Sequence, residues 1–362
     1  MRNASVKRCV NIIAGAIGML PFPLLKKGPN GSRDKATDHP LYALLTRRPN
    51  SIHTAFEFRR LMQRRLLIDG NAYALIVSSR GKVTSLMPLA ASQVTVKQRA
   101  DWTLEYRVRP PNGVFREVPA DQILHLRGDS DDGISGCSLI DEAGEVLGLS
   151  MRVDEAAGRL FTNGTLADTV LETDKRLGPE AIQNLKESLS DHVGAQKAHG
   201  TLVLEEGLKF HELAASGREL QSIEQRKHQV EELARVFGVP RPFLMVDDTS
   251  WGSGIEQLGI FFVQYALAPW FACWEQAVSR ALLSEADIQA GYYPKFNERA
   301  LLRGSMKDQA EFLAKLTGAG GAPQIIEQNE ARGWLDLPEH AEGGGLSPGM
   351  QGGHANAATG QV

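Results

Sequence analysis

Residues 236–257, VFGVPRPFLMVDDTSWGSGIEQ, place the strongest constraint on how this chain can fold. An amphipathic helix pattern precedes this stretch, and a long apolar helix pattern follows it. Gly238 favours a helix C-terminus, and Pro240 and Pro242 prevent the first helix from continuing. The polar residues that follow cannot build a core. We therefore expect two helices that present an exposed loop at 244–256.

The first 138 residues combine helices with a β-rich second half. Apolar residues at helical spacing predict an amphipathic N-terminal helix, and Thr54 followed by Glu57 forms a capping-box pattern that predicts a second helix start. Pro21 and Pro23 predict that LPFPLLKK is an edge strand, because proline has no amide to donate to a sheet. From residue 71 onward the apolar alternation changes to period two and predicts several short strands.

The remaining patterns predict a long helix, a small β-α-β-β unit, a second helix and, after the loop, a helix that Pro269 should kink. The first long helix contains three glycines: Gly144, Gly148 and Gly158. Such small residues indicate either close approach of a neighbouring helix or simple tolerance. The whole chain is expected to be α+β, in successive segments at 1–138, 139–163, 164–217, 218–243, 244–256, 257–299, 300–340 and a disordered tail at 341–362.

Charge is distributed unevenly along the chain. The formal net charge is -3 over 362 residues, yet residues 1–65 carry thirteen basic side chains against only Asp34, Asp38 and Glu57. This segment is expected to present a positive face, which suits a polyanion or an acidic partner, although a solvated basic surface explains it equally well.

Cysteine and histidine positions argue against disulfides and metal sites. Cys9, Cys137 and Cys273 are odd in number and far apart, so we expect free thiols and a reducing compartment. No Cys or His spacing typical of a metal site occurs, and we expect no metal and no cofactor. The apolar stretches are too short to span a bilayer, so no membrane partner is expected.

No common catalytic motif is present. The sequence lacks a Walker A loop, HExxH, GxGxxG and GxSxG. The alternative to a non-enzyme is a cytosolic enzyme that uses Ser135 or Cys137 as nucleophile in the loop 129–138, with His125 as the nearby base. A helix cap at Ser138 and a turn at Asp132 explain the same residues more simply.

An ordered series of local signatures extends over most of the chain. These stretches are CVNIIAGAIGMLPFPLL, DHPLYALLTRRPNSIHTAFEFRR, LLIDGNAYALI, LMPLAASQVTV, ILHLRG, GISGCSLIDEA, RLFTNGT, FGVPRPFLM and NEARGWLDLP. In this order they resemble the portal proteins of tailed bacteriophages, in the branch with short chains. The resemblance implies a ring, usually of twelve subunits, at one capsid vertex. It also implies that double-stranded DNA is packaged and ejected through the ring, while a separate terminase supplies the ATPase.

The resemblance further assigns the segments to the regions of a portal. Residues 1–138 with 257–299 resemble the wing, 139–163 and 218–243 the two stem helices, 164–217 the clip, 244–256 the tunnel loop and 300–340 the crown. The clip is the part expected to meet the terminase large subunit and the head-tail adaptor, and the major capsid protein is expected around the ring. The clip residues proposed for such contacts are Lys175, Arg176, Glu180, Glu187, Glu205 and Glu206.

The resemblance also explains why the two helices are interrupted, because the tunnel loop of a portal is expected to reach into the channel and move. Its expected residues are Asp247, Asp248, Thr249, Ser250, Trp251, Gly252 and Ser253. Asp247 and Asp248 would repel DNA phosphates, so that the channel does not grip the polymer. Trp251 would touch either DNA or a neighbouring loop, or would pack on its own stem.

Overall fold

The computed structural model describes residues 3–28, 32–110, 113–163, 169–173, 178–191, 209–212, 216–245, 254–301, 306–318, 323–334 and 340. Within these residues the chain mixes helices and strands, and the predicted α+β class is confirmed. The chain divides into two compact units, Met1–Asn297 and Glu298–Val362. The predicted disordered tail at 341–362 lies outside the described residues.

Helices and strands alternate along the described part of the chain. The helices are α1 (Ala4–Met19), α2 (Pro40–Thr46), α3 (Ala55–Asp69), α4 (Leu139–Glu142), α5 (Gly144–Asn163), α6 (Pro179–Asp191), α7 (Ser216–Phe237), α8 (Gly254–Phe261), α9 (Ala268–Leu282), α10 (Glu285–Gln289), α11 (Met306–Leu316) and α12 (Gln328–Trp334). The strands are β1 (Leu24–Lys27), β2 (Arg33–Lys35), β3 (Asn71–Ser79), β4 (Lys82–Leu89), β5 (Val94–Gln98), β6 (Leu104–Val108), β7 (Arg116–Pro119), β8 (Ile123–Arg127), β9 (Thr169–Glu172), β10 (Lys209–Glu212) and β11 (Tyr292–Pro294).

The described strands form four small antiparallel sheets, with orders β11-β1-β2, β4-β3-β8, β5-β6-β7 and β10-β9. The prediction that LPFPLLKK is an edge strand is wrong. Both prolines precede β1, so every residue of the strand keeps its amide, and β1 pairs with β2 on one side and β11 on the other. A strand that is distant in sequence therefore covers the edge that local chemistry left open.

The core of the first unit forms where α1, α3 and α9 meet the sheets. Trp274 is almost fully buried, and its indole Nε1 donates to Oε1 of Gln63 at 2.8 Å. The rings of Phe22 and Phe296 stack with centroids 4.1 Å apart, and Trp274 meets both rings edge-on. This cluster joins the N-terminal strand region to the helix that follows the predicted loop, across more than 200 residues of sequence.

Arg59 is buried where α1 and α2 end. Its guanidinium donates to the carbonyls of Gly18 (2.7 Å), Leu20 (3.1 Å), Leu45 (2.9 Å) and Ile17 (3.3 Å). Helix ends leave such carbonyls without intrahelical partners, and a cation there also interacts favourably with the helix dipole. Burial lowers the pKa of Arg59 to about 10, so the side chain remains charged at neutral pH.

Two predicted helix starts are confirmed by their hydrogen bonds. Thr54 and Glu57 form a reciprocal capping box at the start of α3, where the Thr54 amide donates to the Glu57 carboxylate at 2.8 Å. Ser138 caps α4 by accepting from the Asp141 amide at 3.1 Å. The long helix predicted from 139 is interrupted once, at Ala143, before α5 begins.

The helix after the predicted loop changes its winding before Pro269. Residues Phe262–Leu267 form a π-helical turn between α8 and α9, in which the Ala268 amide donates to the Val263 carbonyl. Proline removes an amide from the helix ladder, and a wider turn is one way to accommodate the missing donor. The sequence predicted a kink at Pro269, and the described helix has this π turn directly before the proline.

The second unit contains α11 and α12. The amides of Ile325 and Ile326 both donate to the Leu316 carbonyl, at 2.9 and 3.2 Å, which holds these two residues against the end of α11. The Asn329 side chain exchanges two hydrogen bonds with the backbone of His340. These contacts give the 306–340 region a local framework of its own.

Candidate functional site

The C-terminus of α7 begins the candidate site, and Gly238 ends this helix in the left-handed region with φ 64. The Gly238 amide donates to the Arg235 carbonyl at 3.1 Å, and the Val239 amide donates to the Ala234 carbonyl at 3.0 Å. These two bonds form a Schellman motif, completed by the burial of Val239 beside Ala234. Pro240 then turns the chain away, as its fixed φ and missing amide require.

A short 3-10 turn, Arg241–Leu244, connects this helix end to the predicted tunnel loop. Pro242 lies within the turn, and Phe243 packs edge-on against Phe262 with ring centroids 5.1 Å apart. The Arg8 side chain donates to the Phe243 carbonyl at 3.0 Å, which ties the turn to α1. The turn is therefore anchored both to the helix after the loop and to the N-terminal helix.

The predicted loop residues themselves fall outside the described part of the chain. Met245 is the last described residue before the gap and is 72% exposed, and Gly254 is the first described residue after it. The predicted residues outside the described ranges are Asp247, Asp248, Thr249, Ser250, Trp251, Gly252 and Ser253. The structure thus describes the chain up to Met245 and again from Gly254 onward.

Helices α5 and α7 pack against each other and present an outer apolar surface. Leu149 and Met151 of α5 are 56% and 62% exposed. The sequence left two explanations for the glycines of this helix, a close neighbouring helix or simple tolerance. Among the described residues of the single chain, a Cβ on Gly144, Gly148 or Gly158 would meet nothing within 4 Å, so no described helix lies close against them. The glycines leave open space along a helix that also exposes large apolar side chains.

The loop 129–138 docks onto the turn between α3 and β3. Gly70 has φ 69, and a Cβ there would overlap the backbone of Cys137. A Cβ on Gly136 would likewise overlap the Gly70 carbonyl oxygen. The Gly128 amide donates to the Gly70 carbonyl at 2.9 Å, so the two backbones touch directly. This close approach requires glycine on both sides of the contact.

Asn71 connects the same turn to the loop through its amide side chain. Asn71 Nδ2 donates to the Gly136 carbonyl at 2.9 Å, and Asn71 Oδ1 accepts from the Gly136 amide at 2.8 Å. Asn71 Oδ1 also lies 3.0 Å from Nε2 of His125, whose Nδ1 lies 3.1 Å from the hydroxyl of Tyr106. The resulting buried network joins two sheets to the segment that leads into α4.

The arrangement of His125 bears directly on the enzyme alternative. Both ring nitrogens of His125 are engaged by Asn71 and Tyr106, and burial lowers its pKa to about 3. A general base needs a free nitrogen within hydrogen-bond reach of the nucleophile. In the described structure, His125 is therefore not placed to activate Ser135 or Cys137.

The other loop residues have structural partners as well. The Asp132 carboxylate accepts from the amides of Ile134 and Ser135, both at 2.7 Å, and these bonds hold its pKa below the usual range. The Ser138 hydroxyl donates to the Ile68 carbonyl at 2.6 Å. The turn at Asp132 and the cap at Ser138 are thus both present.

The predicted clip is described only in part. Strands β9 and β10 pair in antiparallel register, and α6 carries exposed Glu180 and Glu187. The Gln183 side chain donates to Glu187 at 3.2 Å along this helix. Four of the proposed contact residues lie outside the described residues: Lys175, Arg176, Glu205 and Glu206.

The described residues contain neither a metal-binding cluster nor a membrane-spanning helix. Among them, no group of three or more His, Cys, Asp or Glu side chains is arranged to hold a metal ion. No described helix combines the length and the apolar character needed to cross a membrane.

The fold and the segment order define a portal-type subunit, and comparison with known families agrees. The family described as phage portal protein matches residues 4–336. The chain therefore belongs to the phage portal protein family, a structural rather than a catalytic family, and the predicted general role in phage DNA packaging is confirmed.

Individual relatives support the same assignment. The chain is 32% identical over 341 residues to the portal protein of Enterobacteria phage HK97, covering 92% of this chain and 79% of that protein. It is 33% identical over 222 residues to the probable portal protein of Streptomyces phage phiC31, covering 60% of this chain and 48% of that protein.

Solved structures share the fold. A chain in the neck of an empty gene transfer agent particle matches with TM-score 0.65 and 21% identity, covering 93% of this chain and 91% of that chain. An HK97-family phage portal protein from Corynebacterium diphtheriae matches with TM-score 0.58 and 18% identity, covering 83% of this chain and 95% of that chain.

Sequence reasoning did not identify the junction at Gly70 and Asn71 as a structural centre. The stretches LLIDGNAYALI and GISGCSLIDEA were noted separately, and the structure brings them into contact. The glycines in these two stretches, among them Gly70 and Gly136, could have indicated the contact, since close backbone approach is a common reason for glycine in a loop. Nothing in the local pattern indicated that one glycine faces the other.

Proposed function

We propose that copies of this chain assemble into a ring, with twelve subunits, that occupies one capsid vertex of a virion after assembly in the host bacterial cytoplasm. Double-stranded DNA enters and leaves the capsid through the central channel. The observation that carries this proposal is the match of residues 4–336 to the phage portal protein family. No chemical step by the chain itself is required, because a separate terminase drives the DNA.

The wall of the channel is formed by the pair of helices α5 and α7 from each subunit. A ring uses a heterologous interface, in which one surface of a subunit meets a different surface of the next. The exposed Leu149 and Met151 and the open space beside Gly148 suit contact with a helix of the neighbouring subunit. Burial of these apolar side chains would stabilise the ring at about 25 cal/mol per Å² of apolar area removed from water.

The segment 244–256 forms a tunnel loop that touches passing DNA without holding it. Duplex DNA carries one charge per roughly 1.7 Å of axis, and tight phosphate contacts would slow translocation. Asp247 and Asp248 repel phosphates and keep the interaction weak, while Gly252 gives the backbone conformational freedom. The anchored turn before the loop, with Phe243 against Phe262, supports the segment from its base.

Other surfaces serve the remaining partners of a portal. The segment 164–217 meets the terminase large subunit during packaging and the head-tail adaptor afterwards, through the clip residues named above. The major capsid protein surrounds the ring. The basic side chains of residues 1–65 face capsid or scaffold partners rather than the channel.

Deletion of residues 247–253 tests the proposed loop. We expect that this variant still forms rings with a central hole, visible by negative-stain microscopy, but fills capsids with less DNA or loses DNA after packaging. A matched charge test replaces Asp247 and Asp248 with asparagine, and its control replaces the exposed Asp38 and Asp121 in the same way. Weaker repulsion should slow packaging only in the loop variant.

Two results would contradict the proposal. Particles that are single globules or closed clusters without a hole at every concentration would remove the ring. Normal genome filling and retention by the deletion variant would leave the ring in place and remove the role of the loop.

A further inference from the structure

The sheet β11-β1-β2 places like charges directly opposite each other on one of its faces. Lys27 of β1 is the register partner of Arg33 of β2, and Lys35 lies on the same face opposite Leu25. Like charges in directly opposed cross-strand positions destabilise a sheet. On this face the local sequence therefore works against the pairing that the structure contains.

The opposite face of the same two strands has the complementary arrangement. Lys26 is the register partner of Asp34, so a cation there faces an anion. The two faces differ although the strands are the same, because side chains alternate between faces along a strand. The unbalanced cations are thus confined to one side.

A cavity of about 620 Å³ lies on the side of the like charges. Its lining residues are Lys27, Arg33, Ile288, Gln289, Gly291, Tyr292, Tyr293 and Lys295. None of the lining residues is acidic, and three are cationic. Gly291 lies beside Lys27, whose amide donates to the Gly291 carbonyl at 3.0 Å, so no side chain fills the cavity at that position.

One of the three cations is already paired within the chain. Lys295 Nζ lies 3.1 Å from the Glu275 carboxylate, which also accepts from the Phe296 amide. For Lys27 and Arg33 the described residues provide no carboxylate within ion-pair distance. Lys27 instead lies over the ring of Tyr293, at 5.7 Å from the ring centroid. Two cations at the cavity therefore have no carboxylate partner among the described residues.

We propose that this cavity, termed here the basic cavity, is a docking site for an acidic peptide segment of another protein. Carboxylates of the segment pair with Lys27 and Arg33, which relieves the repulsion between these two side chains. An apolar side chain of the segment packs on Ile288, which is 47% exposed, and on the half-buried Tyr293, whose ring lies on the same face as Lys27.

The lining chemistry favours a peptide over nucleic acid. A DNA backbone offers phosphates at regular intervals and is bound by extended rows of cations, without a need for apolar contacts. The basic cavity instead combines two unpaired cations with an apolar and aromatic floor in one concave site. A peptide that carries both glutamates and large apolar side chains matches both parts.

The test measures binding of a fluorescein-labelled peptide, in which glutamates alternate with leucines, to the full-length chain by fluorescence anisotropy. We expect saturable binding that weakens as salt rises, because the contacts are partly exposed ion pairs. The variant Lys27→Glu/Arg33→Glu should bind the peptide at least about tenfold more weakly, the change that a loss of about 1.4 kcal/mol produces.

A matched control variant has the same change in net charge, but at two cations outside the basic cavity. Lys82→Glu/Arg116→Glu alters two exposed cations on other strands and should leave peptide affinity unchanged. Equal loss in both variants would mean that net charge alone is responsible and would overturn the proposal. Circular dichroism melting of each variant verifies that it is folded at the assay temperature.

A short DNA duplex serves as the competing probe. If the duplex binds through Lys27 and Arg33 while the peptide does not bind, the cavity belongs to a nucleic-acid surface and the proposal is overturned. Absence of peptide binding to the wild-type chain overturns it as well. None of these results depends on the tunnel loop or on ring formation, so the basic cavity and the proposed channel succeed or fail separately.

Discussion

Replacement of the buried Arg59 by methionine should cause a large decrease in the free energy of unfolding without changing the exposed surface of the protein. The guanidinium donates to four carbonyls, and all four carbonyl residues are buried. The Ile17 carbonyl would otherwise pair with the amide four residues later, but that position is Pro21, which has no amide. Methionine keeps similar length and apolar character but provides no donor.

The expected magnitude follows from the orphaned acceptors. A buried acceptor that loses its partner costs about 1 kcal/mol or more, so four acceptors correspond to about 4 kcal/mol. Removal of a buried charge recovers part of this cost, because the guanidinium no longer has to be desolvated. We expect a net decrease of about 3 kcal/mol in the free energy of unfolding, a large fraction of the stability of a typical domain.

The neighbouring residue supplies the control. Arg60 is exposed and lies over the ring of Phe56 at 5.9 Å, so Arg60→Met should cost less than about 1 kcal/mol. Urea denaturation of both variants at one protein concentration, followed by circular dichroism, gives the comparison. If Arg59→Met is within about 1 kcal/mol of Arg60→Met, then the four hydrogen bonds do not stabilise the fold as argued.

Two further predictions concern the junction of the two sheets with the loop 129–138. Gly70→Ala should destabilise the chain by more than about 2 kcal/mol, whereas Gly81→Ala should cost about 1 kcal/mol, since both glycines have positive φ but only Gly70 lacks space for a Cβ; equal melting temperatures would refute the close approach. Burial lowers the pKa of His125 from 6.5 to about 3, so the folded chain holds this side chain neutral. Its contribution to the free energy of unfolding should therefore be complete above pH 6.5 and decline as the pH falls toward 3, because the unfolded chain binds the proton first. His125→Gln should flatten this decline in denaturation curves recorded across that pH range, and an unchanged slope would assign the decline to other groups.

Local sequence rules predicted the helix ends well. The capping box at Thr54 and the glycine stop at Gly238 rely on contacts within a few residues, so the pattern alone contains the necessary information. The same holds for the cap at Ser138, whose partner lies three residues away. Two residues that hold the turn before the candidate loop, Arg8 and Phe262, were not identified, because they are distant in sequence from that turn.

Long-range contacts account for the predictions that were wrong. The prolines before β1 correctly indicated that they cannot donate to a sheet. Whether β1 has a neighbour on both sides depends instead on β11, which begins at Tyr292 and pairs with β1. Glycines in α5 were compatible with either close approach of a helix or simple tolerance, and the described residues of the single chain leave open space around them. A glycine in a sequence shows only that a side chain is absent. Whether another group occupies that space depends on the folded chain.

The sequence by itself determined the α+β class, several helix ends and the membership in the portal family, because periodicity, caps and an ordered series of stretches are properties of short segments. The tertiary structure alone decided that Arg59 closes two helix ends, that Asn71 joins a sheet to the loop 129–138 and that Lys27 and Arg33 face each other beside the basic cavity. The physical reason is distance along the chain. Hydrogen bonds, charge repulsion and packing depend on separation in space, and residues tens or hundreds of positions apart become neighbours only after folding.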